Sequence, residues 1–185
     1  MGKADARVAV GVARIAKVSA TMRTICGVAM AVIPIALAAF WALVPLEAVR
    51  DLPGVTFPVE ALPPSSRALA FLAVMVPAGI SLYGLAMLRR LFDAYRRGRI
   101  FDIGNARALR GFAVCVLGAT AAKVLLVTPA LSVILTLHNA PGSRALAVSV
   151  SGDDLATLFV GAVLMVVAWI LGEAHRLAED HAQIV

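Results

Sequence analysis

Four long apolar runs alternate with polar connections: Ile25 to Leu46, Ala68 to Leu88, Gly111 to Leu137 and Leu155 to Leu171, the third broken only by Lys123. Runs of this length match the ~20 residues with which an α-helix crosses ~30 Å of hydrocarbon. A helix in water needs a polar face, and these runs have none. The pattern predicts an all-α membrane protein of four transmembrane helices in an antiparallel bundle, with spans at about 25–46, 68–88, 111–137 and 155–171.

The segments around the spans carry patterns of their own. Residues 1–24 read as an amphipathic cytoplasmic helix, with Lys3, Arg7, Arg14 and Lys17 on one flank and Val8, Val12, Ile15 and Met22 on the other. Such a helix can lie among lipid headgroups or simply anchor the first span. The two outer connections are rich in turn signals: Pro53-Gly54, Pro63-Pro64 and Asn139-Ala140-Pro141-Gly142. Val55-Thr56-Phe57 and the alternating Ala145 to Val150 are compatible with a small extracytoplasmic β-hairpin. Ser151 or Asp153 is placed to cap the fourth span, which reads Asp153 and Asp154 as capping residues first. Between spans two and three, Gly98 suits a left-handed helix end and Asp102 the start of the next helix. Residues 89–110 form a cytoplasmic elbow and 172–185 a cytoplasmic tail.

Composition adds that no room remains for a soluble domain: of 185 residues, 61% are hydrophobic and 15% charged, and the mean hydropathy is +0.91. Charge adds orientation. Five Lys or Arg precede the first span, seven lie in the elbow and Arg176 follows the fourth span. Against these thirteen stand Arg50, Arg67 and Arg144 on the other side. Basic residues favour the cytoplasmic side, so both termini and the elbow are expected there, facing anionic headgroups. The first run begins too late and runs too long for a cleaved signal peptide. Cys26 and Cys115 fall in or beside spans, where thiols act as packing groups. His138, His175 and His181 are scattered, no Cys/His spacing suits a metal, and no nucleophile, base and orienting group converge. The chain is therefore expected to be no enzyme and to hold no cofactor or metal. The arginines flank the bilayer, where topology explains them without nucleic acid.

The elbow and tail resemble a known pattern. "LFDAYRRGRIFDIGNARALRGF" and "GEAHRLAEDHAQIV" resemble the signature and ending of a bacterial membrane family, domain of unknown function 2975, over roughly residues 68 to 185. Gly104 stands where that family usually has an acidic residue, and Asp102 where Ser or Thr is usual. The resemblance implies four membrane helices in a bacterial inner (plasma) membrane, and a gene neighbourhood shared with a small helix-turn-helix regulator. It implies no activity.

Lys123 is the sharpest single residue, because a central charge costs at least ~2.5–3.5 kcal/mol and normally faces protein or water. It reads as an ion, proton or anion site, as a lysine snorkelling to the membrane edge, or as a partner of Glu173. No acidic residue is assigned to mid-span. In the elbow, Tyr95, Arg96, Arg97, Arg99 and Phe101 combine aromatic rings with guanidinium groups, a mixture typical of protein interfaces. In the tail, Glu173 stands at helical pairing distance from Arg176. Two functions stay open. One is a regulatory or interaction protein that binds a cytoplasmic protein at the elbow. The other is a small transporter or channel-like protein that uses Lys123 in a bundle cavity. The spans show no paired charges, repeat or broken-helix signal, which favours the first.

Overall fold

The computed structural model describes residues 3–43, 45–51, 59–60, 62–99, 102–144 and 146–182. In chain order these form α1 (Lys3–Leu43), α2 (Leu46–Arg50), α3 (Pro64–Arg96) and α4 (Ile103–Ala122). A π-helical segment (Lys123–Val127), α5 (Thr128–Thr136) and α6 (Gly152–Ala182) follow. The fold is all-α. Four helices are long and apolar enough to cross a membrane: Arg14–Leu43, Pro64–Arg96, Ile103–Thr136 and Gly152–Leu177.

Local chemistry sets the helix boundaries. The amphipathic segment and the first apolar run form one helix, because nothing between Lys3 and Leu43 breaks the backbone ladder except Pro34. Its 41 residues extend about 60 Å at 1.5 Å per residue. α3 opens with Pro64 in its first turn, where a missing amide hydrogen costs nothing. It closes in a Schellman motif: Gly98 N–H donates to the Tyr95 carbonyl at 3.0 Å and Arg99 N–H to the Ala94 carbonyl at 3.1 Å. Gly98 takes the left-handed φ of 79° that this motif needs. Asp102 then caps α4, its Oδ1 accepting from Gly104 N–H at 2.9 Å. Asn105 Nδ2 donates back to the Arg99 carbonyl at 2.6 Å, which pins the elbow between the two helices.

The four long helices pack in a row: α1 against α3, α3 against α4 and α5, and α4 against α6. Among the described residues α1 does not touch α6, so the antiparallel assembly is open on one side. Small residues bring the row together, as is usual in membranes. A Cβ on Gly84 would stand 2.8 Å from Cys115 Cβ, and one on Gly161 2.8 Å from Leu117 Cδ2.

The end of the row opposite the elbow is a compact core. Trp41, Val49, Val59, Ala70 and Leu135 are buried together, and Phe40 meets Trp41 edge to face at 5.6 Å. Side chains tie the connections to it. Arg50 donates to the Val59 carbonyl through Nε at 3.0 Å and Nη2 at 2.6 Å. Glu60 N–H donates to Asn139 Oδ1 at 3.1 Å, and Ser66 Oγ meets His138 Nδ1 at 3.2 Å. No β-strand occurs among the described residues, which is where the expected hairpin fails. Its half at Val55-Thr56-Phe57 lies outside them. Residues 146–151 are extended without pairing: Ala147 N–H donates instead to Ser132 Oγ on α5 at 3.0 Å. Leu146, Val148 and Val150 point outward and are exposed, while Ala147, Ser149 and Ser151 turn toward the helices. A strand partner is unnecessary where a helix side chain takes the amide.

This extended run has a consequence for α6. It descends along α5, so α6 begins beside Lys123, below the core just described.

Candidate functional site

The site follows from that low starting point. α6 opens with a reciprocal cap: Asp154 N–H donates to Ser151 Oγ at 3.2 Å, and Ser151 N–H donates to Asp154 Oδ2 at 3.0 Å. This is a capping box with Asp in the third helical position. Ser151 Oγ also donates to Oδ2 at 2.7 Å. The other oxygen, Oδ1, accepts from Lys123 Nζ at 2.6 Å. Asp154 is 5% exposed, whereas the Lys123 side chain is 49% exposed. One carboxylate thus caps a helix and neutralises an amine on the neighbouring helix.

The backbone at Lys123 is irregular for a local reason. Pro129 has no amide hydrogen and its ring crowds the preceding turn. The helix widens into the π-helical Lys123–Val127, and the Lys123 carbonyl receives the Thr128 N–H as well as Thr128 Oγ1 at 3.0 Å. Such π-bulges recur at functional sites.

The pair lines a cavity of about 490 Å³ on the concave side of the helix row. Phe40 and Trp41 of α1 form one wall, Pro77, Ala78 and Ser81 of α3 the second, and Asp153, Asp154 and Thr157 of α6 the third. Phe40 and Trp41 belong to the buried end core and Pro77, Ala78 and Ser81 to the middle of α3, so the cavity opens directly beneath that core. Its hydroxyls all donate to backbone carbonyls of their own span: Ser81 to Pro77 at 2.9 Å, Thr120 to Val116 at 3.0 Å, Thr157 to Asp153 at 2.8 Å, and Thr128 as above. What they present to the cavity is therefore oxygen lone pairs. Lys123 supplies N–H donors, since an ammonium has three and Asp154 takes one.

The residues singled out in the sequence separate into distinct places. Lys123 does not pair with Glu173, which accepts instead from Arg176 Nη1 at 3.6 Å in the tail. Its amine is held by Asp154. Asp154, read as a cap, is a cap in the structure and is also the partner of Lys123. The missed signal was the Ser151-x-x-Asp154 spacing, combined with an apolar extended run before it that lets the helix start low. At the elbow, Asp93 gathers Arg97, Arg96 at 3.4 Å and Arg23 of α1 at 3.4 Å. Arg99 stands 4.0 Å from Asp102. Tyr95 is half-buried beside them, and Phe101 lies outside the described residues. Cys26 and Cys115 are free and buried on different helices. Among the described residues no group of three metal-binding side chains comes together.

No curated protein and no solved structure matches the chain. A family described as "Protein of unknown function (DUF2975)" matches residues 58–185. The match takes in the elbow, Lys123 and Asp154, and leaves α1 outside it. Because it spans more than half of the 185 residues, this membrane protein belongs to the DUF2975 family.

Proposed function

We propose that this protein is a membrane-embedded binding protein of the transporter or channel type, with the Lys123–Asp154 pair as its operative site. One observation carries the reading: a Lys–Asp pair between two spans walls a cavity of about 490 Å³. That volume falls within the roughly 300–1,000 Å³ of small-ligand sites. Asp154 is buried, and a well-packed apolar residue is often a more stable way to fill such a position than a charge. Ionisable residues inside membranes mark substrate and ion pathways by default. The occupant in this reading is a small polar solute or ion that competes for one partner of the pair.

The test uses purified full-length protein and the variant Lys123→Met/Asp154→Met. Its thermal midpoint is read against a panel of inorganic cations, phosphate, amino acids and short amines. At least one solute is expected to raise the midpoint of the wild type and leave the variant unmoved. A variant that folds and keeps every response of the wild type would remove the site from consideration.

The regulatory reading rests on a different observation. Arg96, Arg97 and Arg99 remain 45%, 57% and 57% exposed although paired, so the elbow keeps a guanidinium surface beside Tyr95. A cytoplasmic protein bound there would be lost on Arg96→Lys/Arg97→Lys/Arg99→Lys or Tyr95→Ala, because lysine lacks the planar fork. Undiminished capture by the triple-lysine variant argues for lipid attraction alone. Both readings take the membrane to be a bacterial inner membrane with the elbow and both termini cytoplasmic. Reporter fusions after Val185 and within 141–143 check this, and a C-terminal reporter active only outside the cytoplasm overturns it.

A further inference from the structure

α4 and α6 touch closely at one level and part at another. At Gly161 an added Cβ would meet Leu117 at 2.8 Å, whereas at Gly172 it would meet nothing within 4 Å. Between the two levels a groove of about 540 Å³ opens toward the elbow. Met165 and Ala168 line it on the side nearer the helix centres, and Arg107 and Arg110 on the side nearer the elbow. Trp169, 69% exposed, stands at its rim.

The charges in this groove are not balanced. Glu173 is matched by Arg176 at 3.6 Å. Arg107 and Arg110 lie one turn apart on the same face of α4, and neither has a carboxylate within 4.0 Å among the described residues. The elbow arginines differ, since Arg23, Arg96 and Arg97 share Asp93 and Arg99 has Asp102. Two guanidinium forks facing one cleft suit a phosphate, which accepts paired N–H donors from each.

We propose that this groove binds an anionic phospholipid of the adjacent leaflet, its phosphate between Arg107 and Arg110 and its acyl chains against Met165 and Ala168. A membrane lipid fits better than a free phosphate because the basic end continues directly into an apolar wall. Trp169 fits the same place, since indole rings concentrate at the headgroup level. Basic pockets between transmembrane helices at this depth are a recognised form of headgroup site.

The experiment measures binding of dioctanoyl phosphatidylglycerol to detergent-purified full-length protein by native mass spectrometry. Dioctanoyl phosphatidylcholine and inorganic phosphate serve as comparison probes. One phosphatidylglycerol is expected to bind in preference to both. Arg107→Gln/Arg110→Gln is expected to weaken it roughly 30-fold, two basic contacts at the headgroup level being lost. Gly172→Leu fills the groove and keeps both arginines, so it should weaken binding comparably. Arg96→Gln/Arg97→Gln, outside the groove, should change it by no more than about threefold. Equal loss in the Arg96/Arg97 variant would mean diffuse attraction and overturn the site. So would a Gly172→Leu protein that binds as the wild type does, or equal binding of phosphatidylcholine. Phosphate that competes at the same concentration as the lipid would overturn the lipid source. None of these variants touches Lys123 or Asp154, so the outcome is separate from that of the cavity reading.

Discussion

Two charged centres in this molecule use the same chemistry in different surroundings. At the first turn of α6, Lys123 and Asp154 hold each other one to one, and the carboxylate is nearly inaccessible. At the elbow, Asp93 serves three guanidinium groups whose side chains are 37% to 57% exposed. Water and headgroups can replace any partner lost from the elbow. The Asp154 carboxylate is buried, so a charge left there by loss of Lys123 has no such replacement at hand. The difference teaches that the number of ion pairs at a centre says little about its weight. What decides is whether the charge left behind can find another partner.

The comparison is sharpest when one partner is removed from each centre. Lys123→Met leaves the buried Asp154 carboxylate charged and without the amine. It should lower stability by about 3 kcal/mol, read as the unfolding midpoint in a mild detergent or bicelle. A loss below about 1 kcal/mol would mean that the pair behaves as a surface pair and would break the contrast. Adding Asp154→Asn to Lys123→Met should then recover about 2 kcal/mol, because the stranded charge goes with it. Simple additivity in this double-mutant cycle would show that the two side chains act independently.

At the elbow, Asp93→Asn should cost no more than about 1 kcal/mol. What cost there is should fade in 1 M salt, where the screening length falls to about 3 Å. A larger, salt-insensitive loss would make Asp93 a structural hub comparable with Asp154. The smallest effect is expected for Thr128→Val, which removes the hydroxyl on the Lys123 carbonyl but leaves the Thr128 N–H in place. Interhelical and backbone hydrogen bonds in membrane helices average about 0.6 kcal/mol, and a change of that size should leave the Lys123–Asp154 coupling intact. Loss of the coupling in Thr128→Val would assign the π-segment a part in aiming the lysine.

Much of this was legible along the chain. The four spans follow from runs of apolar residues, and the elbow from two residues with local reasons: Gly98 for a left-handed φ, and Asp102 for a free amide at the start of α4. Lys123 stood out because a charge inside an apolar run is costly wherever the run goes. Its partner did not stand out. Asp154 has the spacing of a cap, and nothing local to residues 151–154 tells which residue of another helix lies beside that cap. The hairpin expectation failed for a related reason. Alternation from Ala145 to Val150 fixes an extended backbone, but Ser132 on α5 takes the Ala147 amide and no second strand is needed.

The sequence alone determined the class of structure, the number of crossings and the places where helices end. These depend on transfer of side chains out of water and on backbone groups within a few residues of one another. Only the tertiary structure decided the depth at which α6 begins, the pairing of Lys123 with an acid 31 residues away, and the opening of the helix row between α1 and α6. Those depend on how far one segment slides along another. Sliding is set by contacts such as Gly161 on Leu117 and Ala147 on Ser132, between residues that no local pattern brings together.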